Sequence, residues 1–476
     1  MKNQQMREEL RRWHSEASCF SPADSPDALP RRRPNMIWIV TDQQRASSLA
    51  CNGDPNVNTP NLDMMARFGI NFNRAVSSYP ICCPFRGTML TGLPHSQCVP
   101  GHCYQMPPQQ TTIADLFNEN GYDTAFFGKW HVDGCRGNSL MHIVPPERRG
   151  RFNTWIGYEN NDSQWNTWIH GHDANHNEIP QHQLNGYEAD TMTDLLLDYL
   201  DERARTPDQP FFAVLSVFPP HEPYVAPAEQ LCHYKWNDMI LRDNVPADPA
   251  FRENAKRQLA RYYAMVENID KNVGRVLQAL RDKQMELNTH IMFFSDHGDM
   301  MGSHGMYGKV VPHEESLRIP FIVSGSVSHH FNYYSGNSDA LITDLDIVPT
   351  TLGLCGLPVP ENLQGYDYSY IRYGTPEERQ RRQQQEPQYA FSESIMPREC
   401  CDKAWRAVVT RDGWKYATFE NEEWLLFNLN DDPYEQHNLA HANYMAPKRR
   451  ELHAVLKAHL EETGDAFQLP DPKFFG

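Results

Sequence analysis

Three short polar clusters stand where the chain leaves an apolar run. Asp42 follows NMIWIV (35–40), His221 follows FFAVLSVF (211–218), and Asp296-His297 interrupt HIMFFSDHG (290–298). Carboxylate oxygens suit a hard divalent cation, and imidazole serves as acid, base or ligand near neutral pH. An Asp-His pair at a strand end is also an ordinary hydrogen-bonded cap, and with 21 histidines in the chain no single one is informative. The eleven cysteines are scattered or paired as Cys82-Cys83 and Cys400-Cys401, without a CxxC pair. That is neither a disulfide framework nor a structural zinc pattern.

The elements that would position these groups follow from periodicity. NMIWIV, FFAVLSVF, the start of HIMFFSDHG and PFIVSG (320–325) are nearly continuous apolar runs, as in strands buried on both faces of a parallel sheet. Between them, Tyr262, Met265, Val266, Ile269, Val273, Val276, Leu277 and Leu280 recur at helical spacing and mark the core face of a helix. Strands alternating with helices give an α/β sheet with helices on both faces. In such sheets ligands gather outside the carboxyl ends of the strands, so Asp42, His221 and Asp296-His297 are expected to share one edge and one site.

Longer motifs fill in that edge. Cys82-Cys83-Pro84-Phe85-Arg86-Gly87, followed by Met89-Leu90-Thr91-Gly92, resembles the Cys-x-Pro-x-Arg signature of the formylglycine-dependent sulfatases. VNTPNLDMMARFG, TTIADLFNENGYDTAFFGKWH, TDLDIVPTTLGLCGLPVPENLQG and NLNDDPYEQHNLA are similar to further blocks of that family, in the family's order from about residue 35 to 440. The resemblance implies an alkaline-phosphatase-like fold: a large mixed α/β sheet between helices, with a small C-terminal antiparallel-sheet subdomain. It implies that Cys82 is oxidised to formylglycine by a maturation enzyme, Cys83 taking the variable position. A hydrated aldehyde offers one oxygen for attack and a second hydroxyl that lets the covalent sulfate leave by elimination.

By the same resemblance Asp42, Gln43, Asp296 and His297 are expected to hold a divalent metal, calcium first. Many members carry a second carboxylate where this chain has Gln43, so the site is less negative and magnesium or manganese stand beside calcium. Lys129 and His131 of Gly-Lys-Trp-His would serve the sulfate and the formylglycine, with His131 as base. His221 of Pro-His-Glu-Pro would face the leaving oxygen, Lys309 would neutralise charge, and Arg86 would anchor the formylglycine side chain. Concentrated positive charge is what an anionic ester requires as its leaving oxygen becomes negative. Phe85 stands where serine is commoner.

Composition narrows the partners. The 476 residues are 40% hydrophobic and 22% charged, with a formal charge of −17. That disfavours nucleic acid and, less strongly, a long polyanion. No stretch approaches the roughly 20 apolar residues of a membrane helix. The first thirty residues lack the apolar segment of a secretory leader, so the cytoplasm is the expected compartment, or the periplasm where a native leader is missing. The expected partner is a small sulfated molecule; oligomeric state is left open. The expected division is an N-terminal extension (1–33), a catalytic domain (34–372), a linker (373–388) and a C-terminal subdomain (389–476). TPEERQRRQQQEP (375–387) reads as linker or exposed helix, and RAVVTRDGWKYATFE and EEWLLFNL as two strand-like runs before a helical tail from about 447 to 463. His170, His172, His176 and His182 read as a surface loop rather than a second metal site, in a stretch that could wall a substrate pocket.

Two alternatives accompany the sulfatase reading. A phosphonate monoester or phosphodiester hydrolase of the same superfamily would share the formylglycine. A non-catalytic binding protein on a decayed scaffold would have lost its nucleophile, ligands or lysines, and here each of those positions is plausibly filled.

Overall fold

The unbroken apolar runs become the inner strands of one sheet. In a computed structural model of the chain the described residues are 33–134, 141–161, 163–325, 334–396 and 401–474. The large sheet comprises β1 (Asn35–Thr41), β2 (Ile70–Val76), β3 (Asp123–Lys129), β4 (Thr154–Tyr158), β5 (Trp168–His172), β6 (Glu178–Gln183), β7 (Phe211–Ser216), β8 (Thr289–Ser295), β9 (Phe321–Gly325) and β10 (Gly336–Thr343). Their spatial order is β10-β2-β9-β8-β1-β7-β3-β4-β5-β6. β8, β1, β7, β3 and β4 run parallel, while β9 opposes both neighbours and β5 and β6 form an antiparallel edge.

Alternation along β1 divides the core. Met36, Trp38 and Val40 pack on one face, where the edges of Phe212 and Phe294 meet the Trp38 ring at 4.9 and 5.7 Å. Ile37 and Ile39 pack on the other, against the helices Glu188–Arg203 and Pro249–Asp282. The second of these holds the predicted apolar stripe. It starts where Pro249 fixes the first turn and the Asp248 side chain accepts from the Phe251 amide.

Register makes the site. Thr41 lies opposite Ser295, Val40 opposite Ser216, and Ser216 opposite Gly128, so four adjacent parallel strands end at one level. The predicted shared edge is present.

A second sheet follows, antiparallel in the order β11 (Tyr389–Ser394), β12 (Trp405–Thr410), β13 (Trp414–Phe419) and β14 (Glu422–Asn428). The first strand-like run of the sequence is thus a hairpin rather than one strand, because Arg411-Asp412-Gly413 turns the chain, Gly413 at φ +92°. One face of this sheet packs Trp405, Ala407, Ala417 and Phe427 against Val76, Leu317 and Leu341 of the body. The helix Ala446–Thr463 covers the other. The polar segment 375–387 contains the helix Pro376–Gln383, none of whose residues is buried.

The histidine-rich stretch differs from its expected surface loop. His170 and His172 lie on β5 and are buried, His172 accepting from Arg149 and lying 3.0 Å from the Phe152 carbonyl. Only His176 and His182 are exposed. Strand pairing with β4 drew the first two inward, a tertiary effect that local polarity does not report. The eight described cysteines, Cys82 and Cys83 among them, are free thiols. No described helix is long and apolar enough to cross a membrane.

Candidate active site

Cys82 opens the helix Cys82–Thr91, directly outside the level strand ends, and is buried. Its sulfur lies 3.2 Å from His297 Nε2, 3.6 Å from Asp42 Oδ1 and 3.6 Å from Lys309 Nζ. The first turn of a helix has unpaired amides and a positive dipole end, which favour an anionic group there.

Arg86, one turn along, is fully buried and ties the strand ends together. It donates from Nε to Asp296 Oδ2 at 3.2 Å, from one terminal nitrogen to Asp42 Oδ2 at 3.2 Å, and from the other to the Lys129 carbonyl at 2.9 Å and Ser216 Oγ at 2.8 Å. Burial alone would lower its pKa, but the two carboxylates hold it above its usual value. Lys129 adds a contact of 2.6 Å to the same Asp42 oxygen. Burial would raise Asp42, and the opposing charges of Lys129, Arg86 and Lys309 instead hold it well below the usual carboxylate range. Lys129 enters the site from Gly128, at φ +109°, where an added Cβ would lie 1.9 Å from the Ser216 carbonyl. Only glycine fits there.

The remaining hydrogen-bond roles can be worked out from donors. His297 Nδ1 faces the Gly298 carbonyl at 3.0 Å, so that nitrogen carries the proton. Burial keeps the ring neutral, its pKa below the ordinary value. The Nε2 lone pair then faces Asp296 Oδ1 at 3.4 Å and Asp42 Oδ1 at 3.6 Å. Asp296 Oδ1 also accepts from the Gln43 and His297 amides at 3.0 and 2.9 Å; two anionic carboxylates and an imidazole lone pair in one buried volume are a donor set that fits the divalent metal that the sequence implies. Lys309 Nζ donates to Gln43 Oε1 at 2.7 Å and to His221 Nε2 at 2.8 Å. An ammonium has no acceptor, so His221 Nε2 accepts and its Nδ1–H donates to the Glu222 carbonyl at 2.8 Å. Burial would lower Lys309, but the Cys82 sulfur and the Asp42, Glu222 and Asp296 carboxylates keep it above its ordinary value.

Two residues make contacts beyond their expected roles. Gln43 is beside the donor group, but its amide oxygen accepts from Lys309 and its Nε2 donates to Asp299 Oδ2 at 2.6 Å and to Glu222. Its backbone, at φ +67°, is fixed from the long helix, where Tyr262 Oη donates to the Gln43 carbonyl at 2.9 Å and accepts from the Arg45 amide at 3.0 Å. His131, buried and at φ +55°, sits with His102 and Cys83, its ring centroid 5.4 Å from that of His102. Burial first, then Lys129 and His102, push its pKa well below the ordinary value.

Sequence reasoning passed over Asp299, Glu222 and Ser216. Asp299 is buried and binds the Met301 and Gly308 amides at 2.9 and 3.2 Å as well as Gln43, which shapes the loop carrying Lys309. Its position three residues after Asp296 was the available signal. Ser216 and Glu222 flank apolar and proline residues, and nothing in their local pattern marks them.

Comparisons with known proteins point to one family. The sulfatase family model matches residues 34–357, and the model described as N-sulphoglucosamine sulphohydrolase, C-terminal, matches 302–464. The chain is similar to the ulvan-active sulfatase of Formosa agariphila, 32% identical over 451 residues, covering 92% of this chain and 83% of that protein. It is 28% identical to the arylsulfatase of Clostridium perfringens over 474 residues, covering 90% and 95%. Among solved structures it resembles that of yidJ of Bacteroides fragilis, a candidate sulfatase, with a TM-score of 0.79, 25% identity and coverage of 96% and 99%. A phosphonate monoester hydrolase of Agrobacterium radiobacter shares the fold at a TM-score of 0.70 and 21% identity, covering 90% and 96%. With the family model spanning more than half of its length and the polar set gathered at one strand edge, this chain belongs to the sulfatase family, sulfuric ester hydrolases of alkaline-phosphatase-like fold.

Proposed function

We propose that this protein releases sulfate from a carbohydrate ester, with residue 82 supplying the nucleophile. The observation that carries the reading is the convergence on the Cys82 sulfur, within 3.6 Å, of His297, Asp42 and Lys309. Oxidised to formylglycine, residue 82 would supply an oxygen nucleophile with a second hydroxyl beside it. A metal held by Asp42, Asp296 and His297 would supply positive charge toward the sulfate oxygens; calcium is the ion proposed, and manganese is the one the His297 nitrogen favours next.

The chain's own residues divide the remaining work. Arg86 and Lys129 fix the Asp42 carboxylate, and Arg86 also fixes Asp296, so that both present oxygens to the metal rather than turning away. Gln43, whose amide oxygen accepts from Lys309, positions that lysine. The Lys309–His221 pair holds one mobile proton between Nζ and Nε2, ready for a leaving oxygen that becomes basic as the ester breaks. His131, neutral and buried, is the base for the residue-82 hydroxyl.

The side of the site next to His221 supports a sugar. Gln164 Nε2 donates to the carbonyls of His221 and Pro223, both at 2.8 Å, and so moors Trp165 to the leaving-group histidine. The Trp165 ring is 47% exposed and backed by Tyr187 at 5.2 Å. The exposed indole would offer a stacking face and the half-exposed Glu222 carboxylate a hydroxyl acceptor, the two kinds of contact that a sugar ring needs. Initial rates on sulfated monosaccharides, an aryl sulfate and a phosphonate monoester test this. Highest kcat/KM is expected on a sugar sulfate, and a faster phosphonate reaction would replace the proposal.

A further inference from the structure

Next to the nucleophile position lies a cluster that hydrolysis does not need as a whole. Cys83, the second residue of the helix Cys82–Thr91, has its sulfur 3.4 Å from His102 Nδ1. Cys83, His102 and His131 bring one sulfur and two imidazole nitrogens within 4.8 Å of one another. Cys83 and His131 are 1% and 3% exposed, while His102 is partly exposed and gives the cluster a way in.

Three observations point to a ligand. A tetrahedral zinc with bonds of about 2.3 Å to sulfur and about 2.1 Å to nitrogen sets those atoms about 3.6 Å apart; the sulfur–nitrogen pair here is close to that before any ion draws it in. His131 Nδ1 is buried and has no hydrogen-bond partner among the described residues. A buried imidazole nitrogen normally finds one, and coordination of the ring would give it a purpose. The Cys83 sulfur also sits where a thiolate is favoured, at a helix N-terminus and 3.4 Å from the donating Cys103 amide. Burial raises the Cys83 thiol well above its ordinary pKa in the protein alone, and metal binding is what reverses that order.

We infer that Cys83, His102 and His131 form a site for a thiophilic cation, Zn2+, separate from the oxygen-rich group of Asp42 and Asp296. On binding, the Cys83 thiol releases its proton to solvent, sulfur and two imidazole lone pairs bond to the ion, and a fourth position stays open to water. Calcium and magnesium avoid such donors, so the two sites sort cations by softness. The functional consequence rests on the role proposed above for His131. An ion that takes its lone pair removes the base, and zinc then inhibits the hydrolase from beside its nucleophile.

The test uses Co2+ as a spectroscopic probe on the full chain carrying Cys82→Ala, with excess Ca2+ present, so that the neighbouring sulfur contributes nothing. A sulfur-to-cobalt charge-transfer band is expected at one equivalent and is expected to disappear on adding Zn2+. It should vanish with the further change Cys83→Ser, and His102→Ala should weaken binding by at least about tenfold. No band, or a band undiminished by Cys83→Ser, overturns the site. In the mature enzyme Zn2+ should inhibit, and Cys83→Ser should relieve the inhibition. Zinc bound at Cys83 without slowing turnover would leave the site standing and overturn the role of His131.

Discussion

Lys129 and Lys415 are both buried lysines paired with carboxylates, one at the end of β3 in the ten-stranded sheet and one on β13 of the four-stranded sheet. Lys129 reaches Asp42 at 2.6 Å, and Lys415 reaches Glu314 at 2.6 Å and Glu435 at 2.9 Å. Around Lys415 the two carboxylates contend for one ammonium. Burial, opposed by Lys415 but aided by Glu314, raises Glu435 to about 7, while Lys415 holds Glu314 below its ordinary value despite burial. Charge there is used up inside the protein. Around Lys129 it is not: His297 Nε2, Asp42 Oδ1 and Asp296 Oδ1 still face one another after every internal cation is paired. A buried ionic cluster with donors left over is a site, and one without them is a joint.

Breaking each cluster should therefore fail differently. Asp296→Ala removes a metal oxygen and an Arg86 partner together, and activity should fall by ~10³-fold or more, with the metal lost by elemental analysis. Metal retained at full occupancy would mean that the ligand set is wrong. Next comes His221→Ala, which leaves the metal in place. General-acid help is typically about 10²–10⁴-fold, so the loss should approach that range on a sugar sulfate, whose alkoxide is basic, and be much smaller on an aryl sulfate. Equal losses on the two esters would move the mobile proton away from the Lys309–His221 pair.

Lys415→Met should leave kcat unchanged and cost about 3–5 kcal/mol of stability by denaturant titration, because it strands two buried carboxylates. A fall in kcat without a fall in stability would make the joint part of the site. Smallest is a pH effect. The raised Glu435 binds its proton more tightly in the folded chain than in the unfolded one. Its contribution is fully present below the unfolded value near 4.5 and is lost as pH rises through about 7. Glu435→Gln should flatten the decline in stability over that window, and an unchanged slope would assign it to another group.

The contrast also explains what could be read from sequence. NMIWIV, FFAVLSVF and HIMFFS are strands because their apolar runs leave no other packing, and each delivers a polar residue to the same level. The motifs around Cys82, Lys129 and Lys309 then supplied most of the polar residues gathered there. What escaped depends on distant chain. Nothing local to Gln43 shows that Lys309, Asp299 and Glu222 hold its amide. His170 is buried because β5 pairs with β4, and Lys415 finds Glu314 across 101 residues of chain. Local pattern carries the strand and its end, whereas partner choice among buried polar groups is a tertiary property.

Sulfate release by Cys82→Ala, measured beside the unaltered chain after co-expression of both with a maturation enzyme, tests the central claim most directly. The unaltered chain should release sulfate from its sugar ester and the variant should release none above background, with both folded and both holding metal. A Cys82→Ala protein that turns over at the full rate would contradict the account.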